Sequence, residues 1–306
     1  MRQFFHFDAA DSAFLEKELE HVMAQTFEKV FPELKARSFI PTTSEAGAGA
    51  TSVAYDIFGK TGQAKIVGSS PGDIPRVEVD GTRFSRPVRD ISLSYAWTIK
   101  EIRSAALAGR NLNSRKAMAT REGIEEKIDE VASLGAPDYG IPTGFLNDAN
   151  VAVTAAGAGQ DWSTLLGAGN GTAVIKQISD ALGRIIGSSK GAHRPDTLLI
   201  PEDNFALAST TPWSTGSDKT VLDFIRGSFT GLTVEPWYRL DTAGAGSVSR
   251  MVMYKRSETV LSQEIPLDFE QLPPQEVGLE VVVPAWASTA GTVIVQPTAC
   301  DYLDGI

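Results

Sequence analysis

The stretch ISLSYAWTIKEIRSAALAGRNLNSRKAMATREGIEEKIDEVASLGAPDYGIPTGFLN, residues Ile91 to Asn147, changes its hydrophobic period, and that change decides the fold. Ile91, Leu93, Tyr95 and Trp97 recur at every second residue, the spacing that sets them on one face of a strand. At Thr98 the period lengthens. Thr98 and Glu101 have capping-box spacing, and Ile99, Ile102 and Ala106 continue as a helical stripe. Gly109 ends or kinks that piece, because glycine is poor inside a helix and good just past its end. A second piece restarts around Asn113–Ser114. Its stripe runs Ala117, Arg121, Ile124, Ile128, Val131 in three- and four-residue steps until Gly135 stops it. Two such pieces in line span about 50 Å at roughly 1.5 Å per residue. A rod that long is a backbone on which separate lobes are mounted.

Composition removes several function classes. With 306 residues, the chain can bury a core without metals or disulfides. The single cysteine, Cys300, excludes an internal disulfide and fits a reducing compartment. No run of about 18 apolar residues is present, so no membrane span is expected, and the N-terminus lacks a signal peptide's apolar centre. A net charge of -10 disfavours sequence-specific nucleic-acid recognition, which needs a basic face.

Working outward, residues 11–31 read as a helix with Phe14, Leu19, Val22 and Phe27 on its apolar stripe, stopped by Pro32. It either packs on its own core or reaches a neighbouring subunit, since terminal elements exchange cheaply between copies. Residues 41–50 form a small, flexible connector. Residues 52–97 are extended nearly throughout, with a turn at Gly68-Ser69-Ser70-Pro71-Gly72-Asp73. The result is a long hairpin with charge on both arms. An isolated hairpin is marginal in water, so it must lie on something: its own body or another subunit. Further on, a helix over residues 172–186, a buried strand at 197–200, brief helices at 201–208 and 220–226, and strands at 232–234 and 251–254 suggest an α/β lobe. Beyond Glu258 only strand signals remain, and these are expected to close back beside the long helix.

Chemistry-bearing motifs are few. Gly187-Ser188-Ser189-Lys190-Gly191 matches Gly-x-Ser-x-Gly, with His193 and Asp196 nearby. A nucleophile elbow needs a strand before the serine and a helix after it, and here the order is reversed. A hydrolase using Ser189 and His193 therefore stands only as an alternative. Gly59-Lys60-Thr61 lacks the first glycine and following helix of a phosphate loop, and Gly167–Gly171 lacks dinucleotide-loop spacing. His6, His21 and His193 are scattered and share no ligand spacing with Cys300. No catalytic residue, cofactor or metal is expected. The run Glu125, Glu126, Asp129, Glu130 reads as a solvated or partner-facing surface.

The order of helical arm, long hairpin, split spine helix, Gly-rich turn, α/β lobe and returning strands resembles the major capsid proteins of tailed bacteriophages. Their Hong Kong 97-type fold is shared with encapsulin shells. The resemblance is carried by Trp97–Gly109, Arg110–Gly135, Gly140–Asn147, the run Glu264–Gln275 (EIPLDFEQLPPQ) and Gly291–Asp304. It implies an α+β capsid fold with an N-terminal arm and connector at 1–49 and an E-loop hairpin at 50–97. The peripheral domain, with its spine helix, falls at 98–149 and 258–306, and the axial domain at 150–257. It also implies a non-enzymatic subunit of hexamers and pentamers, assembled in the host cytoplasm into an icosahedral shell around double-stranded DNA. An encapsulin-like compartment is the alternative within this fold. Subunit contacts are expected at Phe14, Leu19, Phe27, Phe58, Lys60, Lys65, Ile66, Arg76 and Glu78. Separate scaffolding, portal or decoration proteins are possible partners, and no fused scaffolding segment is expected before the arm. Some relatives cross-link a loop lysine to a neighbour's asparagine; Lys60 and Lys65 lie in the hairpin, but no partner asparagine can be assigned.

Overall fold

A computed structural model describes residues 33–66, 76–107 and 115–306. The expected helix at 11–31, the turn at Gly68–Asp73 and the Gly109 break lie outside the described residues. From Leu34 the chain makes a short helix α1 (Ala36–Phe39), a two-residue strand β1 (Thr42–Thr43), and the paired strands β2 (Ser52–Thr61) and β3 (Glu78–Pro87). Next come β4 (Arg89–Thr98), α2 (Ile99–Leu107) and α3 (Arg115–Leu134). The capping box closes reciprocally: Thr98 N–H donates to Glu101 Oε2 at 2.9 Å, and Glu101 N–H donates to Thr98 Oγ1 at 3.2 Å. Gly135 follows α3 with φ +81°, and a Cβ there would lie 2.8 Å from the Ile141 carbonyl oxygen. Glycine is required twice over, by conformation and by space.

The lobe after residue 150 holds β5 (Ala152–Ala155), α4 (Trp162–Gly167), α5 (Gly171–Ser188), β6 (Thr197–Ile200), α6 (Glu202–Thr210), α7 (Val221–Ser228), β7 (Thr233–Pro236) and β8 (Arg250–Tyr254). The helix α4 was not anticipated. Its signal was Asp161, whose carboxylate accepts from Thr164 N–H at 3.0 Å as an N-cap. The returning strands are β9 (Leu261–Glu264), β10 (Leu267–Gln271), β11 (Gln275–Val277), β12 (Glu280–Thr289), β13 (Gly291–Ile294) and β14 (Cys300–Asp304).

The lobe's sheet runs β5-β14-β8-β6-β7, so a strand from the far end of the sequence lies inside it. The sequence reading placed this segment with the strands closing beside the long helix. Instead β14 pairs in parallel with β5 and antiparallel with β8, and all five of its residues are buried. Alternation along the strands sorts those faces. Leu198, Ile200, Met251, Met253 and Leu303 pack on one side with α4–α7, whereas Leu199, Val252, Tyr254, Cys300 and Tyr302 pack on the other with Phe39, Phe145 and Trp237. Two hydroxyls tie that second side to the spine region: Tyr254 donates to the Phe39 carbonyl at 2.7 Å, and Tyr302 donates to the Phe145 carbonyl.

A separate small core holds α3 to a sheet in which β12 lies between β4 and the pair β10 and β11. Ile124 and Ile128 meet Ile265, Ala285 and Ala287, with Ile91 alongside. The stripe read from the sequence holds at Ile124, Ile128 and Val131, which are buried. Arg121 is exposed, its guanidinium 5.6 Å over the Phe269 ring.

Candidate subunit interface

The hairpin β2–β3 keeps ten registered pairs from Ser52↔Pro87 to Thr61↔Glu78. Antiparallel register sorts its faces. One face carries Val53/Arg86, Tyr55/Phe84 and Ile57/Thr82; the other carries Asp56/Arg83, Phe58/Gly81 and Lys60/Val79. The Tyr55 and Phe84 rings stack at 5.5 Å. Burial pushes the Tyr55 phenol above its ordinary pKa. On the other face the Phe58 ring lies across Gly81, where an added Cβ would come within 2.9 Å of it. An aromatic ring thus covers a glycine that has no side chain to pair. Arg83 donates to both Asp56 oxygens at 2.9 and 3.2 Å, and those bonds raise the guanidinium pKa.

Beyond Tyr55, toward the far end of the strands, neither face is covered. Phe58 is 70% exposed and Ile66, near the tip, is 98% exposed; Val77 and Val79 are exposed as well. Of the expected contact residues, Phe58 and Lys60 share a face, and Glu78 sits opposite Thr61 on the other. Lys65, Ile66 and Arg76 lie beyond the paired strands, where the two legs still approach: a Cβ on Gly62 would lie 3.1 Å from the Arg76 carbonyl oxygen. Phe14, Leu19 and Phe27 are outside the described residues.

At its base the hairpin is fixed to the body. Arg86 Nη1 donates to the carbonyls of Thr143 at 3.0 Å and Thr292 at 2.6 Å, while Nη2 donates to Thr143 Oγ1 at 3.2 Å. Asp148 stands 3.7 Å behind it. On the incoming leg, the Glu264 carboxylate accepts from Thr43 Oγ1 at 2.5 Å and from Ala46 N–H at 2.9 Å.

A second uncovered surface was not read from the sequence. No residue of α2 is buried, and with the β11–β12 turn it lines a cleft of about 520 Å³. Leu107 is 93% exposed and Leu279 is 77% exposed there, beside Ile99, Lys100 and Arg103. Val277-Gly278-Leu279, a turn with an apolar residue on each side, was the available signal.

The acidic run on α3 needs correction. Asp129 is 3% exposed and is a junction, not a solvated residue. It accepts from Ala36 N–H at 2.8 Å and from Arg239 Nε at 2.6 Å, tying α1 and residue 239 to the spine. Glu125 pairs with Arg37 at 3.0 Å, and Glu130 pairs with Lys127 at 2.8 Å. Charge spacing alone could not reveal the partners of Asp129 and Glu125, which are distant in sequence.

Ser189 sits where α5 ends, not on an elbow. Its hydroxyl donates to the Ile185 carbonyl at 2.7 Å and accepts from the His193 backbone N–H at 3.2 Å. Asp196 Oδ1 accepts from Thr197 Oγ1 and Arg256 N–H. None of these bonds joins the serine hydroxyl to the imidazole. Among the described residues, no group of three or more His, Cys, Asp or Glu side chains could hold a metal ion.

The chain's fold is similar to that of known capsids. The capsid of Myoviridae phage XM1 matches with a TM-score of 0.81 and 23% identity over 95% of this chain and 98% of that one. The capsid of a native GTA particle matches at 0.64 and 12%, covering 98% and 99%. A virus-like particle from Pyrococcus furiosus matches at 0.55 and 15%, covering 87% and 90%. No curated protein matches the chain in sequence. The fold is of the Hong Kong 97 capsid type. The major capsid protein family matches residues 62–306, which takes in the outer hairpin strand, the spine, the lobe and the returning strands. The chain therefore belongs to the major capsid protein family, structural proteins whose copies join into a shell.

Proposed function

We propose that this chain is the major capsid protein of a tailed bacteriophage, building an icosahedral shell around a double-stranded DNA genome. The observation that carries this reading is the hairpin: ten registered pairs, fixed at the base, with Phe58, Val77 and Val79 left exposed beyond it. A neighbouring copy supplies the missing cover. At roughly 25 cal/mol per Å² of apolar surface, each contact is modest, and closure of a ring sums many of them. The contact residues are Phe58, Lys60, Lys65, Ile66, Arg76 and Glu78 in the hairpin, and Phe14, Leu19 and Phe27 in the arm.

In domain terms, residues 1–49 act as arm and connector and 50–97 as the E-loop, less the strand β4, which pairs with β12 in the sheet beside the spine. Residues 98–149 and 258–306 are the peripheral domain, less the β14 strand lent to the lobe, and 150–257 are the axial domain. The subunit is non-enzymatic and takes neither cofactor nor metal. Assembly takes place in the host cytoplasm, with separate scaffolding, portal or decoration proteins as partners. A net charge of -10 suits a container that holds DNA without reading its sequence.

The test is electron microscopy of the purified protein beside a Phe58→Asp, Val79→Asp variant. Wild type is expected to give closed particles, and the variant folded subunits that do not close. Particles filled with a protein cargo would mark an encapsulin-like compartment instead. A single monomeric species in sedimentation at high concentration would overturn the shell reading itself.

A further inference from the structure

Resting on that shell reading, we propose that Arg86 is a positioning residue: it limits the angle at which the hairpin leaves the body to the narrow range that a shell of five- and six-fold rings uses. Among the described residues, every side-chain hydrogen bond that leaves β2 and β3 for the rest of the chain comes from Arg86. Its acceptors belong to two separate segments, the turn after α3 at Thr143 and the strand β13 at Thr292. A planar guanidinium that holds both at once fixes direction as well as distance, which a single point contact cannot do. The side chain is only 14% exposed and Asp148 stands behind it, so neither water nor a surface counter-ion replaces the bonds cheaply. The hairpin leg also rests on Gly140, where a Cβ would lie 3.3 Å from Pro87 Cγ and 3.4 Å from Arg89 Nη2.

Leverage makes that anchor decisive. Ten residues at about 3.3 Å each carry the far end of the paired strands roughly 33 Å from the base. Five-fold and six-fold rings differ by about 12° per neighbour, which over this arm moves the far end of the paired strands by about 7 Å. An anchored base can follow that swing, whereas a base free to swing further presents the strand ends to the wrong place on a neighbour in either ring. Loss of Arg86 should leave copies that still associate but close into particles of mixed size.

The experiment compares wild type with Arg86→Met and Arg86→Lys under identical assembly conditions. Three readouts are taken: the particle-diameter distribution by electron microscopy, hydrogen exchange over residues 52–61, and the melting temperature of dissociated subunits. Wild type is expected to give one diameter. Arg86→Met should give a several-fold larger share of off-size or tubular particles and faster exchange in β2. Arg86→Lys keeps the charge against Asp148 but cannot hold Thr143 and Thr292 together, so it should restore subunit stability without restoring uniform diameter. If Arg86→Met does not fold, Arg86→Lys carries the test alone. Uniform wild-type diameters from every folded variant would overturn the proposal. Absence of particles from wild type would instead overturn the shell reading on which it rests.

Discussion

Removing the Asp129 carboxylate should cost more stability than any other single change on the spine's acidic run. Asp129→Ala leaves the Arg239 guanidinium, 13% exposed, without its partner and leaves the Ala36 N–H unbonded. Breaking a buried pair from one side costs about 3–5 kcal/mol, because the remaining charge stays desolvated. Unfolding entropy is about 2.1 cal/mol/K per residue, so a chain of 306 residues changes by roughly 0.6 kcal/mol per degree. The subunit melting temperature should then fall by about 5–8 °C. Calorimetry of dissociated subunits measures this directly. Hydrogen exchange at Ala36–Phe39 should accelerate in parallel, since α1 loses the acceptor of its first amide. A double variant, Asp129→Ala with Arg239→Met, removes the stranded charge and should melt higher than Asp129→Ala alone. No measurable shift in the single variant, or a double variant that melts at the sum of both losses, would refute the assignment of Asp129 as a buried junction.

Three further outcomes concern Cys300, Asp304 and Gly144. Burial pushes the Cys300 thiol up to about 12, so native subunits at pH 8 should resist iodoacetamide and react promptly once unfolded. For Asp304, burial raises the carboxyl pKa, but the bonds from Arg250 and Ala245 outweigh it and leave the folded value below the ordinary one. That pair therefore contributes its stability above about pH 4 and loses it as pH falls further, and Asp304→Asn should flatten the melting-temperature profile between about pH 5 and 3. Gly144→Ala would place a Cβ 2.5 Å from Leu134 N and Ser133 C, both backbone atoms, and expression should yield insoluble protein.

What the sequence revealed followed from local periodicity. The change of period at Thr98, the Gly135 stop, the β2–β3 hairpin and most of the lobe's elements rest on neighbours within about ten residues, where pattern and capping chemistry are decisive. The same local logic predicted the capping box that Glu101 completes. What escaped it depends on partners far along the chain. Asp129 looked like one acid among four because Ala36 and Arg239 lie 93 and 110 residues away. Arg86 looked like one more hairpin charge because Thr143 and Thr292 are 57 and 206 residues distant. The strand β14 reads as any short apolar run, and only the pairing shows which sheet it enters. The exposed α2 cleft was hidden for a different reason: an apolar stripe looks the same in sequence whether its cover comes from its own chain or from another.

The inserted strand β14 sets a timetable for synthesis. Ala152 waits for Asp301 and Arg250 waits for Asp304, so the middle of the lobe's sheet stays vacant on the ribosome until nearly 150 further residues have followed β5. The hairpin, by contrast, is complete once residue 87 has emerged. A nascent chain thus carries its adhesive limb long before it has a finished body. Truncated or stalled products should be the ones that clump, and chaperones should engage the polypeptide in the interval between those two events.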